Sequence, residues 1–214
     1  DYHLRILESK FTILQDVTLE SGGQTIQMDN LIITPNAIYI IEVKNFTRTI
    51  TFDTNLNQFT SGDGNTYTGY RHPITQVKTQ KLKLQNWLVE HDQPNIPIYY
   101  FVAISDPSTL IDVVGDPEEI SNIVMHSEHI PWRIMEYENS FAGRPAGGSS
   151  GSITPKFIHQ KIGYTILRHC IDYDMDILSR HGIRPEQLLP GVRCYQCNWL
   201  GMERYNKTWA CNKC

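Results

Sequence analysis

Three charged side chains around one predicted β-hairpin, Asp29, Glu42 and Lys44, have the types that bind a hard divalent cation beside a phosphate. Residues two apart on a strand share a face, so Glu42 and Lys44 point the same way. A tight reversal at residues 34–36 brings Asp29 across from Glu42. The two carboxylates and the Val43 carbonyl would then hold one Mg²⁺ or Mn²⁺ ion. Lys44 would orient a water molecule or stabilise charge on phosphorus.

The Glu-x-Lys pattern is weak by itself, because it occurs twice. Glu8-Ser9-Lys10 falls at the exposed end of the first predicted helix, where a solvated charged face is the expected role. Glu42 and Lys44 instead follow the apolar run 37–41, and charges at the end of a core strand need a partner or a function. Spacing alone leaves two possibilities open, a structural ion pair and a catalytic site.

The segment from about Gly23 to Leu88 resembles the nuclease-related domain (NERD) family, which is assigned to the restriction-endonuclease-like superfamily with its Asp…Glu-x-Lys active site. Three pieces carry the resemblance in the family's order, at residues 28–33, 37–45 and 72–76. Gln76, in the third piece, is similar to the family's helical glutamine. His72 departs from the asparagine that members usually have there.

The resemblance implies a metal-dependent nuclease that hydrolyses phosphodiester bonds, with DNA favoured over RNA and with endonuclease and exonuclease action both open. Asp29, Glu42, Lys44 and Gln76 would be its catalytic residues, and Mg²⁺ or Mn²⁺ its cofactor. Family members also tend to carry an acidic residue in the first helix, for which Asp1 and Glu8 are candidates. The alternatives are a catalytically silent nucleic-acid-binding module and a zinc-stabilised adaptor that docks a protein partner.

Four of the five cysteines lie in the last 21 residues, as two Cys-x-x-Cys pairs: Cys194 with Cys197, and Cys211 with Cys214. This spacing lets four thiolates surround one Zn²⁺ ion, and the alternating residues between the pairs, with Asn206-Lys207 near their middle, predict a β-hairpin. The pattern indicates a small zinc ribbon whose full coordination sphere makes the metal structural. Disulfides or a redox pair are the less favoured alternatives. The ribbon could bind nucleic acid or dock to a protein partner.

The overall composition sets few further limits on function. A net charge of −4 argues mildly against non-specific coating of nucleic acid, but bound metal would cancel part of that charge. No apolar run approaches the ~18 residues that a membrane helix needs. The N-terminus also lacks a signal-peptide pattern, so a cytoplasmic protein without a membrane partner is expected.

The periodicity of the chain predicts an α/β fold, with a mixed sheet flanked by helices, plus the small four-cysteine zinc ribbon. Predicted strands lie at 12–19, 25–44 as a hairpin, 48–53, 57–61, 66–70, 98–104, 111–114 and 123–125, and predicted helices at 2–8, 73–91 and 155–173. The last helix should bury Phe157, Ile158, Ile162, Ile166 and Leu167. The predicted parts are a restriction-endonuclease-like core at 1–142, a flexible linker at 143–152 that resembles an engineered splice, a helical extension packing on the core at 153–189 and the ribbon at 190–214.

Overall fold

The computed structural model of the chain describes residues 3–141, 155–171, 182–184, 192–205 and 208–214. The chain divides into two compact units, Asp1–Asp172 and Tyr173–Cys214. The predicted linker at 143–152 and the predicted turn at Asn206-Lys207 lie outside the described residues. The helix predicted at 155–173 ends earlier, at His169.

The first unit is built from two β-sheets and five α-helices within the described residues. The strands are β1 Thr12–Ser21, β2 Gln24–Ile33, β3 Ile38–Lys44, β4 Thr49–Asp53, β5 Gln58–Gly62, β6 Tyr67–Gly69, β7 Ile98–Ile104, β8 Ile111–Val114 and β9 Val124–His126. The helices are α1 Arg5–Glu8, α2 Pro73–Glu90, α3 Pro117–Ser121, α4 Ile130–Phe141 and α5 Pro155–His169, and a single 3₁₀ turn, Ser127–His129, leads into α4.

The larger sheet has five strands in the order β1-β2-β3-β7-β9. Its first three strands are antiparallel neighbours, whereas β3, β7 and β9 run parallel, so the sheet is mixed. β7 is an almost unbroken apolar run, which suits a strand covered on both faces. β3 is the third of the five strands and hence the central one. The end of β3 carries Glu42 and Lys44.

Helices cover both faces of this sheet. On one face, α2 and α5 pack on the first strands through buried side chains such as Leu84, Trp87, Ile162 and Ile166. On the other face, α1 and α4 pack on Tyr39, Ile41 and Phe101 and close a second core cluster. The molecule thus has a layered α/β/α core, and the mixed α/β fold class predicted from the sequence is confirmed.

The smaller sheet has the order β6-β5-β4-β8 and lies beside the first half of α2. Phe52 and Phe59 from this sheet, Ile74 and Val77 from α2, and Val102 from β7 share one buried cluster. This cluster ties the beginning of α2 to the end of β7, and so fixes the helix next to the end of β3.

The β2–β3 turn is held by a carboxylate on α4. Glu138 accepts hydrogen bonds from the hydroxyls of Thr34 (2.8 Å) and Tyr39 (2.7 Å) and from the Asn36 amide (2.8 Å). Burial and this bond to Glu138 both raise the pKa of Tyr39, so the phenol stays a donor. The hairpin that carries the predicted site is therefore anchored at its closed end.

In the second unit, the described strands β10 Val192–Arg193, β11 Leu200–Tyr205 and β12 Thr208–Cys211 form a three-stranded antiparallel sheet. β11 and β12 pair from Tyr205–Thr208 to Met202–Cys211. This is the hairpin expected between the two cysteine pairs, and the compact sheet with its cysteine cluster is compatible with a small zinc ribbon.

Several sequence predictions were wrong in detail. The exposed fractions of Phe157 and Leu167 are 54% and 58%, so the buried stripe of α5 consists of Ile162 and Ile166, with Ile158 partly covered. Neither α3 nor α4 was predicted, and within the described residues the first helix begins only at Arg5. None of the described helices combines the length and apolar character needed to cross a bilayer.

Candidate active site and candidate zinc site

The carboxylate site forms where β2 and β3 stop pairing. The last backbone pair is Asn30 with Ile41, so the same register places Asp29 across from Glu42. There the Val43 N–H donates a hydrogen bond to the side chain of Asp29, at Oδ2 and 2.7 Å, in place of a bond to the backbone of β2. On the other side of β2, the pairing with β1 skips Asp29 and Asp16, and Asp16 has a left-handed φ of 50°. The pairing between β1 and β2 is therefore interrupted at Asp29.

Glu42 is almost fully buried, with 3% of its surface exposed, and is surrounded by hydrogen-bond donors. Its Oε1 atom lies 2.6 Å from Lys44 Nζ and accepts a 2.5 Å hydrogen bond from Gln76 Nε2. Its Oε2 atom accepts a 2.8 Å bond from Gln80 Nε2. A buried carboxylate needs hydrogen-bond donors, and here one ammonium and two amides supply them.

Asp29 and Lys44 add opposite charges to the same place. Burial raises the pKa of Asp29 and the nearby Glu42 carboxylate raises it further, while the Val43 N–H and the Lys44 ammonium act in the lowering direction. The side chain of Lys44 is one-quarter exposed, at 24%, and its ammonium also donates to Gln76 Oε1 at 3.2 Å. Two close carboxylates and one partly exposed ammonium therefore share a small volume.

Helix α2 delivers the two amides. Pro73 begins the helix at a position where its missing N–H is not needed. Gln76 and Gln80 lie four residues apart, so they project from the same face of the helix. That face also buries Val77 and Leu84, which keeps both amides directed at β3.

The structure brings together all four residues that the sequence indicates as catalytic. Glu42, Lys44 and Gln76 contact one another, and Asp29 accepts a hydrogen bond from the backbone N–H of Val43, the residue between Glu42 and Lys44. Ile41 and Val43 face the opposite core cluster, as strand alternation requires. Glu8 is exposed at the end of α1 and is not among the described residues that contact Glu42. Asp1 lies outside the described residues.

Gln80 is a further residue of the site and was not predicted from the sequence. Its signal was present, because Gln80 lies four residues after Gln76, between the apolar positions Val77 and Leu84 of the same helix. A glutamine at such a position is expected to be buried, and a buried amide needs partners.

The residues present fit a hard divalent cation. Asp29 Oδ1 accepts no hydrogen bond from the described residues. The Glu42 carboxylate has about four lone-pair sites, so its three hydrogen-bond donors leave one lone pair for a ligand. The N–H and C=O of a strand residue point to the same side, so the Val43 carbonyl faces the side of Asp29. The donors are all oxygens, which Mg²⁺ and Mn²⁺ prefer.

In the second unit, the ligand atoms of four cysteines lie within 4.8 Å of one another: Cys194, Cys197, Cys211 and Cys214. The sulfurs of Cys194 and Cys214, and those of Cys197 and Cys211, are 3.6 Å apart. Four sulfurs around zinc at a bond length of about 2.3 Å would be separated by roughly 3.8 Å. The cluster can therefore hold one tetrahedral zinc ion.

Backbone N–H groups prepare two of these thiols for a metal. Those of Cys197 and Gln196 lower the pKa of Cys194 to about 6, and those of Lys213 and Cys214 lower the pKa of Cys211. Hydrogen bonds with the neighbouring sulfurs of Cys194, Cys197 and Cys211 raise the pKa of Cys214 to about 12. A metal needs thiolates as ligands, so the loops that favour thiolates also favour metal binding.

Comparison with known proteins gives one match. Residues 1–105 match the family model described as the nuclease-related domain, NERD. No curated protein and no solved structure matches the chain. The matched range contains β1 to β3 and α2, and hence Asp29, Glu42, Lys44, Gln76 and Gln80. The part of the chain that carries the carboxylate site, residues 1–105, is therefore similar to the nuclease-related domain family.

Proposed function

We propose that this protein is a metal-dependent nuclease that hydrolyses phosphodiester bonds, with DNA as its substrate. The observation that carries the proposal is the convergence of Asp29, Glu42, Lys44 and Gln76 at the opening between β2 and β3. The match of residues 1–105 to the nuclease-related domain supports the same reaction class, because a nuclease-related fold with this set of side chains suits phosphate chemistry.

Each side chain has a distinct part in this proposal. Asp29, Glu42 and the Val43 carbonyl would bind one Mg²⁺ or Mn²⁺ ion, which supplies Lewis-acid stabilisation of the phosphate. Lys44, whose ammonium is partly exposed beside Glu42, would hold the attacking water and neutralise charge that develops on the phosphate. Gln76 bridges Glu42 and Lys44, so it would keep both groups oriented.

Exposed cations near the beginning of α2 suit a polyanionic substrate. Arg71 is exposed immediately before α2, and Lys78 is exposed on its first turns, on a different side of the helix from Gln76. Such cations bind phosphates without reading the base sequence. The cysteine cluster would hold a structural zinc ion, because four thiolates leave no coordination position for a substrate.

The direct test is cleavage of supercoiled, linear and single-stranded DNA and of RNA by purified protein, with Mg²⁺ or Mn²⁺. Glu42→Gln and Lys44→Met should each reduce the rate by at least about 10²-fold, the scale observed when one group that stabilises transition-state charge is removed. The second Glu-x-Lys pattern provides matched controls, Glu8→Gln and Lys10→Met, since both residues are exposed.

The outcomes separate the proposal from its alternatives. Metal-dependent cleavage that is lost in the Glu42 and Lys44 variants and kept in the Glu8 and Lys10 variants supports a nuclease. Equal cleavage by all variants would assign the activity to a contaminant or to another site. Tight binding of nucleic acid without cleavage, under every metal condition, would favour a catalytically silent binding module.

A further inference from the structure

Gln80 contacts both strands that supply the carboxylates. It lies on the buried face of α2, one turn after Gln76, with 6% of its surface exposed. Its Nε2 atom donates to Glu42 Oε2 on β3 at 2.8 Å and to the Gln27 carbonyl on β2, also at 2.8 Å. Gln27 is two residues before Asp29, so this one amide reaches the immediate neighbourhood of both acids.

The chemistry of these contacts fixes the orientation of the amide. A carboxylate and a backbone carbonyl are both acceptors, so the NH₂ end of Gln80 must face them. The other end, Oε1, is buried and has no hydrogen-bond partner among the described residues. Buried acceptors are usually satisfied, so this arrangement gives priority to the two bonds that the NH₂ group makes.

The contacts occur where the backbone no longer links the two strands. Pairing of β2 with β3 ends at Asn30–Ile41, and beyond that point the strands are joined by the Asp29–Val43 bond and by the Gln80 amide. The Gln80 amide therefore restrains the rotation of the Glu42 carboxylate and the distance between Gln27 and Glu42.

We propose that Gln80 is a positioning residue that holds Glu42 and β2 at the separation at which Asp29 and Glu42 bind one divalent cation. This inference rests on the proposed function, because it concerns the same cation. Gln80 touches neither the cation nor the substrate in this proposal, and it acts through Glu42. Outer partners of metal ligands commonly change metal affinity by about 10- to 100-fold when they are removed.

The test measures Mn²⁺ binding to the zinc-loaded full chain without nucleic acid, by electron paramagnetic resonance of free Mn²⁺. Gln80→Met keeps the length of the side chain and removes both donors, and it should weaken Mn²⁺ binding about 10-fold or more. Gln85→Met is the matched control, because Gln85 is an exposed glutamine on the same helix. Gln80→Asn, which is too short to reach both acceptors, is a second variant in case the methionine disturbs folding.

A double variant distinguishes positioning from a general effect on the fold. If Gln80 acts through Glu42, then Gln80→Met should cause no further loss of Mn²⁺ affinity in a Glu42→Gln background. A lower unfolding temperature with unchanged Mn²⁺ affinity in both Gln80 variants would overturn the positioning role and leave the proposed function intact. Wild-type protein that binds Mn²⁺ no better than Glu42→Gln would overturn the proposed cation site, and with it the role of Gln80.

Discussion

The carboxylate site and the cysteine site are built in opposite ways. The four cysteines lie within residues 194–214, on two short loops and one hairpin, so local chain geometry gathers them. The carboxylate site takes Asp29 from β2, Glu42 and Lys44 from β3, and Gln76 and Gln80 from α2. It exists only when a sheet and a helix have already packed. One site is assembled by a short segment and the other by tertiary structure.

This difference predicts what a metal would do in each place. The core around Glu42 has large buried clusters of its own, so its stability does not depend on a cation. The described residues of the ribbon bury little, and even Trp199 and Trp209 are about half exposed. A metal is expected to fold the ribbon and to act chemically in the core.

The largest expected effect is the loss of the ribbon fold when one thiolate is removed. Cys197→Ser should lower the bound zinc from about one ion per chain to almost none, because a structural zinc site contributes about 10–16 kcal/mol to folding. Zinc content by elemental analysis and amide NMR signals of residues 192–214 would measure this change. The signals from the core strands should remain in place.

The fifth cysteine supplies the matched control for that experiment. Cys170 follows α5 in the first unit and is not part of the cluster. Cys170→Ser should therefore leave both the zinc content and the ribbon signals unchanged. Zinc retained by Cys197→Ser, or lost by Cys170→Ser, would contradict the assignment of the four ligands. The cysteine site could then not be contrasted with the carboxylate site as a metal site assembled by a short segment.

A smaller effect is expected when the closed end of the β2–β3 hairpin, away from Asp29 and Glu42, loses a hydrogen bond. Tyr39→Phe removes the 2.7 Å bond to Glu138 from a fully buried position on β3. A bond to a charged group is worth about 2 kcal/mol, so the unfolding temperature of the core should fall by roughly 4–8 °C. Calorimetry would measure the shift, and zinc content should not change.

The control is Tyr67→Phe on β6, since Tyr67 is mostly exposed. This variant should unfold within about 2 °C of wild type, because surface substitutions away from special features change stability by less than about 0.5 kcal/mol. If both variants unfold like wild type, the Glu138 anchor contributes little and the hairpin is held by apolar packing alone.

How far each site could be predicted from the sequence follows from the same contrast. The cysteine pairs could be recognised from their spacing, because two residues between thiols already fix which sulfurs meet. Strand alternation predicts that Glu42 and Lys44 share a face of the sheet. A turn at residues 34–36 predicts that Asp29 lies across from Glu42. These are local rules, and the structure places all three side chains together.

The parts that were missed depend on contacts between distant segments. The helical spacing indicates that Gln80 is buried, but only the packing of α2 on β2 and β3 shows that its amide bridges Gln27 and Glu42. The helix α4 was missed although Ile130, Ile134, Tyr137 and Phe141 recur at helical spacing and pack in one core cluster. Only its contact with the hairpin, through Glu138, depends on distant segments. Periodicity likewise overestimated the buried face of α5, because Phe157 and Leu167 lie on its exposed side while Ile162 and Ile166 are buried.

The smallest expected effect is stabilisation of the core by a cation, and it tests the comparison most directly. At ten times its dissociation constant, Mn²⁺ bound only by the folded core would add about 1.4 kcal/mol to the unfolding free energy. The unfolding temperature of zinc-loaded protein should then rise by roughly 3–6 °C, and Glu42→Gln should show no such rise. An equal rise in both proteins would place the Mn²⁺ elsewhere. No rise in wild type would mean that Lys44 is the permanent partner of Glu42, and that the core holds an ion pair where the ribbon holds a metal.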